Sequence, residues 1–243
     1  MAKVYWCPTR ARDGGITTIP DIAFQEPDSF FKELSSKRES AYLKCPSVIE
    51  YCKNIFIIRS PYDVTITINR KFRTVTTSFP KAIRDDFVSN RTNDFGENDP
   101  YLLSLPPNYI FYSDDDIIIE SLPCFLLESP SIKNINLIPG TFNISKWVRP
   151  VDFSFEVKDD KELIQIKEGD PLFLVKFITK NGEKVSLERV YPDDKLKRVV
   201  GSCISVKTFN KNLPLKVLYK MAEPVIKLYL RKTKKCPFGF GKK

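Results

Sequence analysis

The chain has 243 residues, of which 42% are hydrophobic and 28% charged, a composition typical of a globular protein and not of a disordered one. No apolar run approaches the roughly 20 residues that a membrane-spanning helix needs. The first residues contain no hydrophobic segment of the kind found in a secretory signal. We therefore expect a soluble, intracellular protein. The net charge is +9.

The side chains available for catalysis are restricted, because the chain contains no histidine. This absence excludes Ser-His-Asp and Cys-His activation of a nucleophile, and also the common histidine-based metal sites. Carboxylate, lysine, tyrosine and carboxylate-bound magnesium chemistry remain open, but no motif for any of them stands out. The sequence therefore favours a protein without enzymatic activity, and it indicates no catalytic residue, no metal ligand and no cofactor.

The cysteines predict buried thiols and not a disulfide framework. Their number is even, but the chain is long and no two of them show the close spacing typical of a zinc ribbon. Small apolar side chains in the core are the expected role. The six cysteines are Cys7, Cys45, Cys52, Cys124, Cys203 and Cys236.

The first half of the chain predicts short strands and a few short helices, since proline is frequent and glycine scarce. A helix is predicted over 26–38, and a capping box at Ser47 predicts another that ends at Cys52. Strict alternation of apolar and polar residues predicts a strand over 63–69. The other predicted elements are strands at 4–6, 54–60 and 72–79, a helical turn at 81–90 and a loop at 90–100.

The second half repeats the pattern of short strands. The dipeptide Asn181-Gly182 predicts a two-residue hairpin that joins the strand ending at Thr179 to the next one. Asp193 and Asp194 indicate a turn or the start of a helix. The predicted strands are 109–112, 117–120, 124–127, 140–144, 152–157, 163–166, 172–179 and 185–190.

The spacing becomes helical between residues 215 and 231, where Pro224 is expected to kink or restart the helix. We therefore predict a β-rich body over 1–206, with a subdivision near 90–100 as an option, and a basic helical arm and tail over 207–243. One face of this helix is predicted to hold Leu215, Leu218, Ala222, Ile226 and Tyr229.

The positive charge is concentrated at the C-terminal end. Residues 207–243 contain eleven lysines and arginines and a single acid, so the rest of the chain is close to neutral. Such an arm attracts a phosphate backbone, an anionic membrane face or an acidic partner. The alternative is a solvated basic face whose aromatic side chains pack against the sheet. The proposed binding residues are Lys216, Lys220, Lys227, Arg231, Lys232, Lys234 and Lys235.

Two further motifs each have two interpretations. Trp147 lies between Lys146 and Arg149, which is a possible recognition patch, since Trp and Arg are frequent at binding sites. Alternatively, Trp147 anchors the core and Arg149 pairs with Asp152. The acidic run 114–116 offers oxygen ligands for magnesium, but consecutive residues of an extended chain point to opposite faces, which favours a polar turn.

The stretch 163–177, with its short strand, Gly169-Asp170 turn and apolar strand, resembles the last core strands of the dUTPase-like β-clip fold. The tail 238–241 is similar to the glycine- and phenylalanine-containing tail that closes over nucleotide in dUTPases. Arg59-Ser60-Pro61 matches the phosphate motif of that family poorly. The segment after Gly140 lacks the family's uridine-binding aspartate. The resemblance implies a nucleotide-binding relative without dUTPase activity.

A broader resemblance covers most of the chain and is to a family of uncharacterised proteins from tailed phages, many of which infect marine bacteria and cyanobacteria. It implies a phage origin, and thus a location in the host cytoplasm or the virion, but no activity. The matching segments are 44–49, 108–113, 142–150, 152–156 and 169–173.

Taken together, these observations predict a β-rich α+β protein with mixed or antiparallel sheets, arranged as a sandwich or β-clip, with short N-terminal helices and a basic C-terminal helix. The first functional hypothesis is a non-enzymatic phage protein that binds a phage or host protein, as a minor virion component or a host-directed effector. Nucleic-acid binding through the basic arm is the second, and nucleotide binding by a β-clip descendant is the third. The sequence does not determine the oligomeric state.

Overall fold

The computed structural model of the chain describes residues 1–12, 15–17, 25–37, 41–69, 71–72, 74–79, 89–90, 101–127, 132–158, 162–209 and 212–230. Strands dominate this part of the chain, which has the predicted β-rich α+β architecture. The helices are α1 (Phe30–Lys37), α2 (Pro46–Cys52), α3 (Asp194–Phe209) and α4 (Leu215–Tyr229), with a 3₁₀ turn at Ala41–Lys44.

The strands are short, with the exception of the first, the eighth and a few of the later ones. They are β1 (Ala2–Arg12), β2 (Gly15–Thr17), β3 (Asp28–Ser29), β4 (Ile55–Arg59), β5 (Val64–Asn69), β6 (Thr74–Thr77), β7 (Ser89–Asn90), β8 (Tyr101–Tyr112), β9 (Ile117–Leu122), β10 (Ile135–Leu137), β11 (Gly140–Asn143), β12 (Pro150–Val157), β13 (Leu163–Ile166), β14 (Pro171–Thr179) and β15 (Val185–Arg189).

Within the described residues these strands form three sheets. The largest has the order β10-β12-β8-β1-β15, with β2 paired to β1 and β7 paired to β8. The second has the order β11-β9-β14-β4-β3, and the third β13-β5-β6. Most pairs are antiparallel, but β15 runs parallel to β1, so the large sheet is mixed.

One hydrophobic core lies among the three sheets. Side chains alternate along each strand, so every second residue of β12 points inward, and Phe153, Phe155 and Val157 are buried as the sequence predicts. Rings from different sheets meet there, for example Phe153 stacked on Phe173 with 5.5 Å between centroids. The alternation predicted for 63–69 is confirmed as well, since Val64, Ile66 and Ile68 are buried in this core.

The large sheet also has an apolar outer face. On β1, Trp6 points into the core among the sheets, whereas Cys7 points to the other side. On β8, Phe111 points into the core among the sheets and Ile110 points to the outer face. Helices α3 and α4 cover this outer face, so the basic helix is packed on the body.

The predicted boundary between 206 and 207 falls inside α3, and the subdivision near 90–100 lies outside the described residues apart from Asn90.

Three local details differ from the prediction: the cap of α2, although this helix ends at Cys52 as predicted, the strand at 124–127 and the start of α1. Helix α2 begins at Pro46, one residue before the predicted cap, because proline is favoured at the first helical position; Cys45 is the N-cap and makes no capping hydrogen bond through its side chain. Residues 124–127 do not form a strand, and Leu126 there has φ 60, a left-handed conformation that interrupts an extended chain. Residues 28–29 form a strand, so helix α1 begins only at Phe30.

The hairpin predicted at Asn181-Gly182 is wrong too. Gly182 adopts a positive φ of 65, as a tight turn requires, but β14 already pairs with β4 on one edge and β9 on the other. Because β14 has no vacant edge, the chain crosses to the large sheet, where β15 pairs with β1.

The predicted helical turn at 81–90 lies outside the described residues, except that Ser89 and Asn90 form β7.

Asn54 stabilises the connection between β14 and β15, in which the chain passes from one sheet to the other. Its side-chain amide donates a hydrogen bond of 2.8 Å to the Glu183 carbonyl, and its side-chain oxygen accepts one of 2.9 Å from the Val185 amide. Asn54 is 7% exposed and Val185 4%, so the hydrogen bond to the Val185 amide is shielded from water. The two bonds replace the strand pairing that the crossing segment lacks.

We expect Asn54→Ala to lower the free energy of unfolding by about 1 to 3 kcal/mol, because the buried Val185 amide loses its partner, whereas the Glu183 carbonyl keeps the hydrogen bond from the Thr179 hydroxyl. Urea denaturation measures this change. Asn181→Ala, at an exposed position in the same connection, is the control and is expected to change stability by less than about 0.5 kcal/mol. Equal effects of the two substitutions would contradict the role of Asn54.

Candidate binding surface on helix α4

The structure distributes the predicted binding residues over two neighbouring elements. Lys216, Lys220 and Lys227 lie on α4 and are exposed. Lys146, Trp147 and Arg149 lie in the connection between β11 and β12. The remaining predicted residues, Arg231, Lys232, Lys234 and Lys235, lie outside the described part of the chain.

Helix α4 has three distinct faces, of which the first packs on the body. Leu218, Ala222 and Ile226 are buried together with side chains of α3 and of the large sheet. These three belong to the predicted apolar face, but Leu215 at its N-terminal end is 44% exposed and Tyr229 is half-buried. The helix continues through Pro224 without interruption.

The second face of α4 is a row of charges. We define the lysine row as Lys216, Lys220, Glu223 and Lys227, which recur at steps of four, three and four residues and therefore share one face. Lys227 pairs with Glu223, with 2.6 Å between nitrogen and oxygen. Within the described residues, neither Lys216 nor Lys220 has an acidic partner, so these two charges are available to a ligand.

The third face is apolar and exposed, and it was not among the features predicted from the sequence. We define the apolar row as Val217, Met221, Pro224 and Leu228, which lie beside the lysine row at the same spacing. Val217 is 38% exposed, Met221 43% and Leu228 72%. The sequence signal was present, since these residues repeat at the a and d spacing of a coiled coil, but only one apolar face was assigned to the helix.

The three residues of the predicted recognition patch differ in their surroundings. Trp147 is 1% exposed and lies beneath α4, with its ring 6.3 Å from that of Tyr219. Arg149 is half-buried and contacts Asp152 at 3.5 Å. Lys146 is the exposed member of the three, and its ammonium group lies 3.0 Å from the carboxylate of Asp116. Burial of Trp147 thus helps to hold α4 in place, while Lys146 is available at the surface.

A hydrogen-bonded network joins the loop that carries Lys146 to helix α4. Asn143 is buried, and its backbone amide donates a hydrogen bond of 2.9 Å to the hydroxyl oxygen of Tyr219. Its side-chain amide donates to Asp116, the same carboxylate that contacts Lys146. These bonds fix the distance between the loop and the helix.

Between the loop and α4 lies a cleft of about 250 Å³, which we call the lysine cleft. Lysines on both walls give it a positive charge, while Tyr219 and Ile226 supply apolar surface. Its lining residues are Ser145, Lys146, Lys216, Tyr219, Lys220, Glu223 and Ile226.

The acidic run 114–116 forms the turn between β8 and β9, in agreement with the favoured interpretation. The hydrogen bond that Asn143 donates to Asp116 is the main reason why the pKa of this carboxyl lies below its usual value, and the hydrogen bond from Lys146 lowers the pKa further. In the described part of the chain, no group of three or more His, Cys, Asp or Glu side chains is placed to hold a metal ion.

Comparisons with known proteins give no relative for this chain. A scan against protein-family models, a search of curated proteins and a search of solved structures each found no match. Among the described helices, none has both the length and the apolar character needed to cross a membrane.

The network predicts a pH dependence at Asp116. Its folded-state pKa lies below the usual value of 3.8, so the ionised carboxylate stabilises the fold above that pH and the contribution is lost as the pH falls through the folded-state value. Because the side chain is largely exposed, we expect Asp116→Asn to cost less than about 1 kcal/mol at neutral pH. The cost should disappear as the pH falls below the folded-state pKa of Asp116. Urea denaturation at a series of pH values measures it.

Asp114→Asn is the matched control, because it removes a charge from the same turn without breaking an ion pair to any described residue. We expect its stability to follow the wild-type pH profile. A stability difference between wild type and Asp116→Asn that is constant from neutral to acidic pH would contradict the assigned role of the carboxylate.

Proposed function

We propose that this chain is a non-enzymatic binding protein, which docks an acidic amphipathic helix of another protein along the exposed side of α4. The observation that carries the proposal is the apolar row, which lies at the surface beside Lys216 and Lys220, two lysines without an acidic partner among the described residues. The phage resemblance adds that the partner is a phage or host protein and that binding takes place in the host cytoplasm or the virion.

The apolar row has the geometry of a helix–helix seam. In a coiled coil, the a and d residues form a narrow apolar line and the neighbouring e and g residues form ion pairs with the partner helix. If Met221 is placed at a, Val217 occupies d, and Lys220 and Lys227 occupy g. A partner helix with apolar residues on one line and carboxylates beside it therefore complements both rows. Exposed apolar side chains of this kind mark interaction sites.

A lipid surface fits this helix less well than a protein partner does. A helix that lies in a membrane interface buries a broad apolar face. Helix α4 uses its broad apolar face, with Leu218, Ala222 and Ile226, to pack on the body. The apolar side that remains exposed is only one side chain wide, which is the width of a seam between two helices.

Nucleic-acid binding is the second candidate function, and the unpaired Lys216 and Lys220 favour it. The two residues lie one helical turn apart, which brings their ammonium groups close enough to contact neighbouring phosphates. Lys146 extends the positive surface across the cleft. The predicted residues beyond the described part of the chain, such as Arg231 and Lys232, would add to the same electrostatic attraction.

The protein-docking proposal predicts that Met221→Glu abolishes partner capture, because it places a carboxylate in the middle of the apolar row. The measurement is a nuclease-treated affinity capture from phage-infected host lysate, followed by carbodiimide crosslinking, which joins lysine amines to carboxylates in direct contact. We expect crosslinks from Lys220 or Lys227 to acidic residues of the partner in the wild type, and their loss in the variant.

Phe72→Glu is the control, since it introduces the same charge at an exposed aromatic residue on another sheet. It is expected to leave capture and crosslinks unchanged. Capture that persists in Met221→Glu, or a partner that joins through lysines away from α4, would contradict the proposal. Loss of every partner on nuclease treatment would instead support the second candidate.

The nucleic-acid candidate predicts salt-dependent binding to mixed-sequence DNA. The slope of log K against log salt should fall by about 1 for each phosphate-contacting lysine removed. We expect Lys216→Ala with Lys220→Ala to reduce the slope by about 2 on this basis, and deletion of residues 232–243 to reduce it further. Fluorescence anisotropy between low and moderate salt measures the slope. An unchanged slope in both variants would exclude the basic arm as the DNA-binding element.

A further inference from the structure

We infer that the lysine cleft is a binding site for a small organic phosphate, with the phosphate group between the lysines and the organic part against Tyr219. This inference does not depend on the proposed protein docking, because the apolar row of α4 does not line the cleft. The segments 59–61 and 163–177, which resemble dUTPases, contribute no lining residue.

The balance of charge in the cleft favours an anion. Three lysines from two separate elements converge on a space of about 250 Å³. The nearby carboxylates are already engaged, since Asp116 contacts Lys146 and Glu223 contacts Lys227. Lys216 and Lys220 repel each other across one helical turn without an acidic partner among the described residues. An anion between them relieves this repulsion and gains attraction to both.

The loop wall of the cleft, with Lys146, is held in place against Tyr219 before a ligand arrives. Lys146 is held by Asp116, and Asp116 by the buried Asn143. The backbone of Asn143 is in turn bonded to the hydroxyl of Tyr219 on the opposite wall. Because Lys146 is already positioned, ligand binding has to order only the side chains of Lys216 and Lys220, which reduces the conformational entropy lost on binding.

The lining of the cleft combines charged and apolar surface. Tyr219 and Ile226 line the cleft beside the lysines and contribute apolar surface, which inorganic ions do not use. The volume is several times the roughly 30 Å³ that one water occupies in the liquid. It therefore accommodates a phosphate group together with part of an organic body. A phosphate is preferred to a carboxylate, because its dianion balances the two unpaired lysines.

Isothermal titration calorimetry at constant ionic strength tests the inference, with inorganic phosphate, adenosine monophosphate and adenosine as the ligands. We expect single-site binding of the monophosphate, weaker binding of inorganic phosphate and no binding of adenosine. Lys216→Ala with Lys220→Ala should weaken the monophosphate at least about tenfold, since each lost bond to a charged group is worth more than about 1.4 kcal/mol. Both substituted side chains are exposed, so the fold is expected to persist, and the thermal midpoint verifies it.

Two further variants show whether binding is specific to this cleft. Lys71→Ala removes an exposed lysine from a turn on another sheet and should leave the affinity unchanged. Met221→Glu disrupts the apolar row and should leave phosphate binding largely intact, so failure of protein docking and failure of the cleft are distinguishable. Equal affinity for adenosine and its monophosphate, or equal affinity in the wild type and the double lysine variant, would overturn the inference.

Discussion

The outer face of the large sheet is apolar, and the rest of the molecule is arranged around the need to cover it. Side chains alternate along β1 and β8, so Trp6 and Phe111 enter the core among the sheets while Cys7 and Ile110 point away from it. A sheet with two apolar faces must be packed on both sides to keep these side chains from water. Helices α3 and α4 supply the second layer, and this requirement places the basic helix on the body.

Burial on one side leaves α4 with two exposed faces of different chemistry. The lysine row and the apolar row lie side by side along the same helix, and their relative position follows from the period of 3.6 residues per turn. The connection after β11 brings Lys146 opposite the lysine row, and the bond between Asn143 and Tyr219 fixes that distance. The cleft therefore forms only because the loop and the helix lie opposite each other, and neither element forms it alone.

Much of the fold could be predicted, because it depends on local patterns. Alternation along 63–69 and 152–157 indicated half-buried strands, and both were confirmed. The partners of the strands could not be predicted in the same way. The Asn181-Gly182 turn is present, yet β15 pairs with β1 because both edges of β14 are occupied. Pairing depends on which edges remain vacant after distant strands have assembled, and no local pattern carries that information.

For the candidate site, the sequence by itself indicated that positive charge gathers near the C-terminus, that residues 215–231 are helical and that Lys216, Lys220 and Lys227 lie away from the buried face. These properties follow from composition and helical period. The structure has this helix over Leu215–Tyr229. Only the tertiary structure decided that Trp147 supports the helix from below while Lys146 faces the cleft, and that Met221 and Leu228 remain exposed. The reason is physical: which apolar residues of a helix are buried depends on the one direction in which the sheet lies, and that direction is set by contacts far away in the chain.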